Sequence, residues 1–299
     1  MGCDIHPYVE VRDQKGRWVL LPEPRHFFGR GDSNYDAFLA ELHAEYVHGI
    51  RPLPIDLPFN IEDFLTEDRT KLDSGKYHKC KHPILTLDER CYNTFAILAG
   101  VRNGRGFAGC KTGEGFSPIS SPKGIPSDAS REYRDEAKRW NGDGHSHSYL
   151  TLKELLEYDW QQTTVLHGTV SSIVYALWIK SGDKAAGKGP HCWSGGVSGP
   201  NVRHVSNEEM DTFVAEKLLP LLTDCEGYGS LNGFGTPKDK VLLTRISAAV
   251  TGWDHLYTQV SWTMTYAEAT YGFHREVLPW LQSLGLPPDR VRICFFFDN

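Results

Sequence analysis

The 299-residue sequence lacks several features, and each absence removes a class of protein. No stretch approaches about 18 uninterrupted apolar residues, so no membrane-spanning helix is expected. The N-terminus has no basic stretch followed by an apolar run, so no secretory signal is read there. The seven cysteines are odd in number and show no disulfide spacing, which favours reduced thiols and a cytoplasmic setting. A basic excess is missing as well. The formal net charge is -6, which argues against gripping duplex nucleic acid and for a small ligand or a protein partner. No Gly-x-Ser-x-Gly element occurs, so nothing local supports an α/β-hydrolase nucleophile.

What is present is a composition of 40% hydrophobic and 23% charged residues, enough to bury a large core. Aromatics make up 12%, most of them expected in that core, with some able to stack on a planar ligand. The expected fold class is mixed α/β (α+β), as a single domain over 1–299. It would combine a mixed sheet, an N-terminal β-hairpin, packed helices and a C-terminal βαβ unit. Residues 2–12 and 17–21 suggest the hairpin. Residues 35–47 have helical spacing, and 50–90 form an irregular, proline-broken insertion. A short apolar helix is expected from Tyr92 to Val101, a charged helix over 130–139, and a long buried helix over 163–180. Thr151 with Glu154, Ser206 with Glu209 and Thr265 with Glu268 are spaced as helix N-caps. Residues 240–250 and 256–264 suggest strands, and Val291–Phe297 suggests a strand covered on both faces.

The candidate chemistry lies in two acid/imidazole clusters about 140 residues apart in this 299-residue chain, at Asp4–His6 and Asp143–His145–His147. Alternate residues of a strand share a face, so each cluster would place its acid beside its imidazoles. Brought together, Asp4, His6, Asp143, His145 and His147 could hold zinc, manganese or iron, or act as acids and bases without metal. Between the clusters, the loop from Gly100 to Pro126 carries seven glycines and three prolines. Its Arg102, Arg105 and Lys111 could hold a phosphate, and the loop could close over the histidines. Trp140 and Tyr149 flank the second cluster and could stack on a base or sugar.

Other motifs carry less. Gly182–Lys188 matches the start of a P-loop, but Gly189 stands where Ser or Thr should bind magnesium and Pro190 spoils the following helix. His78, Cys80, His82 and Cys91 match no zinc module and read as a solvated loop. Gly2–Cys3 looks like an acylation signal, but His6 occupies the position that needs Ser or Thr. His167-Gly-Thr169 and His204-Val-Ser206 resemble the paired elements of two-histidine phosphoesterases, although a buried helix is the wrong setting for the first.

The opening Met1–His6, the Tyr92–Arg102 run, Asp143–Leu155 and the closing Val291–Asn299 are together similar to a family of bacterial and bacteriophage proteins that open with Met-Gly-Cys-Asp-Ile-His. The family brings no established activity, so no catalytic residue carries over. What the resemblance implies is a setting, the bacterial host cytoplasm, in which phage proteins bind or destroy nucleotide signals of defence. The leading expectation is therefore a nucleotide-handling hydrolase, a phosphodiesterase of cyclic or dinucleotide signals in phage counter-defence. Its catalytic residues would be His145, His147, His6 and Asp4, with Arg102, Arg105, Lys111, Trp140 and Tyr149 on the ligand. One alternative is a binding protein that sequesters the same phosphate-containing ligand. Another is a protein-interaction inhibitor whose histidines are structural.

Overall fold

A strand whose seven residues are all buried, Val291–Phe297, organises the first part of the molecule. The structure is a computed structural model and describes residues 2–21, 67–68, 79–80, 90–223, 237–249, 255–270 and 272–298. The expected helix at 35–47, most of the 50–90 insertion, and His78 and His82 lie outside the described residues. The fold is mixed α/β, with both antiparallel and mixed sheets. Among the described residues no helix is long and apolar enough to cross a membrane. The chain divides into two compact units. The first draws on Met1–Val101, Ser117–Trp160 and Ala267–Asn299, the second on Arg102–Phe116 and Gln161–Tyr266.

Strands are numbered in chain order. In the first unit β1 (Ile5–Arg12), β2 (Trp18–Leu20), β3 (His145–Thr151) and β7 (Val291–Phe297) form an antiparallel sheet in the order β2-β1-β7-β3. The hairpin turn is set by Asp13, whose carboxylate accepts from the Lys15 and Arg17 amides at 2.9 and 2.8 Å, with Gly16 at φ 78°. Strand β7 is buried because helices cover both of its faces. On one face, Phe95 of α1 (Tyr92–Ala99) packs 5.1 Å from Phe297. On the other, Tyr133 of α2 (Arg131–Trp140) joins a cluster with Tyr8, Cys294 and Phe296. Each fully buried phenylalanine contributes roughly 1.5–3 kcal/mol.

Deep in this sheet Glu10 and Arg292 face each other across β1 and β7, both almost fully buried. Glu10 accepts from Arg292 Nε at 2.7 Å and from the Ser130 amide at 2.7 Å. Arg292 also donates to Asp128 at 2.9 Å and lies 4.1 Å over the Trp18 ring. The charges are thus paired, with Arg292 Nη2 also 2.7 Å from the Glu10 carboxylate but without a hydrogen bond of its own.

In the second unit β4 (Thr163–Ser171) pairs antiparallel with β6 (His255–Thr265), and β5 (Val202–His204) pairs parallel with β6. The buried helix expected over 163–180 starts only at Ser172 (α4, Ser172–Lys180). The preceding Thr163, Thr164, Val165, Thr169 and Val170 are β-branched, and an apolar run of this kind is ambiguous by periodicity. Ser171 caps α4, accepting from the Val174 amide at 3.4 Å. The strand expected at 240–250 is instead helix α6 (Lys240–Ala249), started by Asp239, whose carboxylate accepts from the Val241 amide at 2.8 Å.

Both full capping boxes form: Thr151 with Glu154 on α3 (Leu152–Glu157), and Ser206 with Glu209 on α5 (Asn207–Phe213). Beyond β6, after the cap spacing of Thr265 with Glu268, the chain forms short α7 (Tyr266–Ala269), then a π-helical turn at Phe273–Val277 and α8 (Leu278–Ser283). The strand–helix–strand order of the proposed βαβ unit is present, but β6 and β7 lie in different sheets, so no such unit forms. Strand β7 finds its partners in the N-terminal β1 and in β3 instead.

Candidate functional site

Pairing of the two chain ends builds the first unit's site. Ile5 lies opposite Phe297 and His6 opposite Phe296, so the next residue of the C-terminal strand, Asp298, meets Asp4. The Asp298 amide donates to the Asp4 carbonyl at 3.1 Å, and the Asp4 amide donates to the Asp298 carboxylate at 2.8 Å. The other oxygen of that carboxylate stands 3.1 Å from His6 Nε2. The acid beside His6 is therefore Asp298, which the local Asp-x-His spacing did not point to. Asp4 has a different partner. Its carboxylate takes a two-point grip from Arg90, with Nη2 donating at 2.8 Å. That guanidinium holds the Asp4 carboxyl below its ordinary range. Gly2 leaves room for it, since a Cβ there would meet Arg90 Nη1 at 2.8 Å.

The His6 ring is enclosed by aromatics. It stacks on Phe296 at 4.8 Å and 16°, and Trp140, at the end of α2, lies 4.2 Å away. His147 reaches the same Phe296 from β3, on the far side of β7, at 5.0 Å. Separations of 4.8 and 5.0 Å from one shared ring put the two imidazoles within about 10 Å of each other, as cross-strand neighbours on either side of one strand should be. Burial lowers the pKa of His147, and the neighbouring His145 lowers it further, so the ring is neutral at neutral pH.

His145 does not join them as expected. The ladder pairs His145 with Phe297 but Ser148 with Phe295, so a bulge intervenes, with Ser146 at φ 52°. The extra residue breaks the alternation. His145 faces Phe297 at 6.2 Å, on the other side of the sheet from Phe296, and its Nδ1 lies 2.9 Å from Ser146 Oγ. Nε2 of His145 and Nδ1 of His147 are buried without a hydrogen-bond partner in the protein, which singles them out as polar atoms needing one.

Asp143 is exposed in the turn after α2, its amide donating to the Trp140 carbonyl at 2.9 Å. The five residues Asp4, His6, Asp143, His145 and His147 are thus not gathered as metal ligands. No group of three or more His, Cys, Asp or Glu among the described residues is arranged to hold a metal ion.

The ligand-holding residues also distribute differently. Arg102, Arg105 and Lys111 belong to the second unit, where Arg105 and Lys111 bridge each other and Arg102 occupies a left-handed turn position. The later part of the Gly-rich loop, in the first unit, runs beside the histidine strand: the Lys123 amide donates to Ser148 Oγ and the Gly124 amide to the His147 carbonyl. Tyr149 is occupied by cations, with Lys123 Nζ 4.9 Å and Arg292 5.5 Å from its ring. Trp140 donates its indole N–H to Glu136 at 3.1 Å and keeps one face on His6.

The two H-x-[ST] elements do lie on strands, contrary to the helix expected for the first. They do not face one another as a pair. His167 is opposite Ser261 and His204 opposite Tyr257, on the two strands flanking β6, which separates them by about 16 Å. Ser206 is spent as a helix cap.

Asp298 and Arg90 are the residues missed from sequence. Asp298 follows the closing apolar strand, and only the pairing of β1 with β7 reveals its use. Arg90 carries no local signal. No family profile, curated protein or solved structure matches the chain.

Proposed function

We propose that the first unit is a phosphodiesterase of small nucleotides, cyclic or dinucleotide, using two imidazoles as base and acid. The observation that carries this reading is the placement of His6, backed by Asp298, and of neutral His147 on either side of Phe296. A general base and a general acid must each come within roughly 2.6–3.2 Å of opposite oxygens of the reacting phosphorus. The buried Phe296 ring fills the space between the two imidazoles, so a phosphate would have to meet their outer edges.

In the reaction, His147 takes a proton from water while the water oxygen bonds to phosphorus. The P–O ester bond breaks, and the leaving oxygen takes a proton from His6. Asp298, 3.1 Å from Nε2, orients the His6 ring for that transfer. Arg90, beside His6 on Asp4, contributes positive charge toward the phosphate, and Trp140 offers an aromatic edge to the base. A role in phage counter-defence follows from the sequence resemblance.

Sequestration is the second reading, favoured by the wedging of His6 between Trp140 and Phe296, which limits its motion. Incubation with cyclic mononucleotides, cyclic dinucleotides and ADP-ribose derivatives, followed by chromatography, separates the two. New products that vanish in both His6→Ala and His147→Ala support the diesterase. Ligand that is depleted but returns intact on heating the protein supports sequestration. If nothing in the panel is consumed or bound, both readings are wrong.

A further inference from the structure

The second unit holds a constellation that the diesterase reading does not use. Its β4–β6 ribbon is one-sided. Leu166, Val170, Val260 and Trp262 are buried on one face, while Val165, Gln259, Ser261 and Thr263 of the other are exposed. On that open face the register sets His167 directly opposite Ser261. The His167 amide donates to the Thr112 carbonyl at 2.9 Å, away from β6. His167 and Ser261 are therefore a non-hydrogen-bonded pair, the closer of the two kinds.

Imidazole Nδ1 lies 2.8 Å from Ser261 Oγ, and Nε2 lies 2.8 Å from the Glu114 carboxylate. Glu114 is delivered by residues 112–114, which run along the free edge of β4: Gly113 bridges Leu166, and the Glu114 amide donates to the Val165 carbonyl at 2.9 Å. Gly113 permits this approach, since a Cβ there would meet the Val165 carbonyl oxygen at 2.8 Å.

We propose that Ser261, His167 and Glu114 form a nucleophilic serine site that hydrolyses small carboxylic esters with good leaving groups. Hydroxyl, imidazole and carboxylate in hydrogen-bonded sequence are the parts such chemistry needs. Glu114 accepts from Nε2–H and so fixes the tautomer whose Nδ1 lone pair faces the Ser261 hydroxyl. Ser261 Oγ bonds to the ester carbonyl carbon as its proton passes to His167. The C–O bond to the alcohol breaks, and the leaving oxygen takes that proton. Water then gives a proton to His167 and its oxygen to the acyl carbon, Ser261 leaves reprotonated, and the products are acid and alcohol. The open face argues for small, activated esters rather than long peptides. Separately, Lys111 and then His167 hold the Glu114 carboxyl down at about 2, so it stays ionised at any working pH. Glu114 is the positioning residue; Ser261 and His167 are the catalytic ones.

The test uses the full chain with a fluorophosphonate probe and with p-nitrophenyl acetate. Expected are mass-spectrometric labelling on Ser261 and ester hydrolysis that falls at least about 100-fold in Ser261→Ala and in His167→Ala. Glu114→Gln should lower kcat with KM unchanged, and Glu114→Asp should restore part of the loss, which a purely structural role would not produce. Phosphodiester turnover by the first unit should be the same in Ser261→Ala as in the unaltered chain, so the two sites fail independently. Labelling on another residue, no labelling, or full hydrolysis by Ser261→Ala would overturn the assignment.

Discussion

His6 and His167 each meet a carboxylate, Asp298 at 3.1 Å and Glu114 at 2.8 Å; the two rings are equally exposed, at 20% and 19%, but the carboxylates are not, at 17% and 57%. His6 stands among Trp140 and Phe296 with the edge of a fully buried strand behind it. His167 stands on the open face of a ribbon, its carboxylate 57% exposed and shared with Lys111. Enclosure strengthens a charge interaction and fixes the ring, while exposure weakens the pair as a source of stability. The first pair's carboxylate is sheltered and the second's is open to solvent, so the second pair contributes less to stability. A third pair, Glu10 with Arg292, marks the limit in which burial is almost complete.

That limit gives the largest expected effect. Arg292→Met leaves Glu10 as an uncompensated charge in the core, which costs about 3–5 kcal/mol. Denaturant unfolding should show this loss, whereas His167→Ala should change stability by less than about 1 kcal/mol. If the two variants unfold alike, environment does not divide these pairs as described.

Next is Asp298→Asn, which keeps shape but removes the charge behind His6. Phosphodiester turnover should fall by about 100-fold or more, the usual range for disabling an acid–base group. His145→Ala should stay within about threefold, because the bulge turns that ring to Phe297 rather than to the site. A large loss in His145→Ala with little in Asp298→Asn would reverse the roles assigned to them.

Much of the frame was legible because its signals are local. The hairpin turn, the Thr151 and Ser206 capping boxes and the double-faced burial of Val291–Phe297 need only neighbouring residues. Long-range register was not legible. Asp-x-His spacing suggested Asp4 for His6, while the pairing that delivers Asp298 joins positions 292 apart. Nor does Ser146 announce a bulge, since a positive φ is unusual outside Gly and Asn. The helix expected over 163–180 failed for a third reason. Strand β4 and helix α4 are both apolar and meet at Ser171, where a cap rather than a change in hydrophobicity marks the border.

Lys111 is one feature that separates the exposed pair from the enclosed one. Lys111→Met should let the Glu114 carboxyl rise from about 2 toward its ordinary 4.5, because the lysine's hydrogen bond is the largest influence on it. An NMR titration of the Glu114 side chain checks this. Ester hydrolysis should increase a few-fold, as Glu114 then serves the imidazolium alone. An unmoved titration would mean that His167, not Lys111, sets the charge state of the pair.

The smallest expected effect tests the enclosed side. Burial lowers the His147 pKa below its ordinary 6.5. Between the lowered folded value and 6.5, the unfolded chain binds more protons than the folded one, so stability rises with pH across that window. Acidification from about pH 7 to pH 5 should therefore cost the protein a part of its stability that comes from this ring. His147→Gln removes the titration while keeping a polar side chain, and the dependence of Tm on pH over that window should flatten. His145→Gln should flatten it less, since His145 is the second influence on His147 and burial the first. If His147→Gln leaves the slope unchanged, the ring is better solvated than its place against Phe296 implies, and the contrast between enclosed and open pairs weakens on its enclosed side.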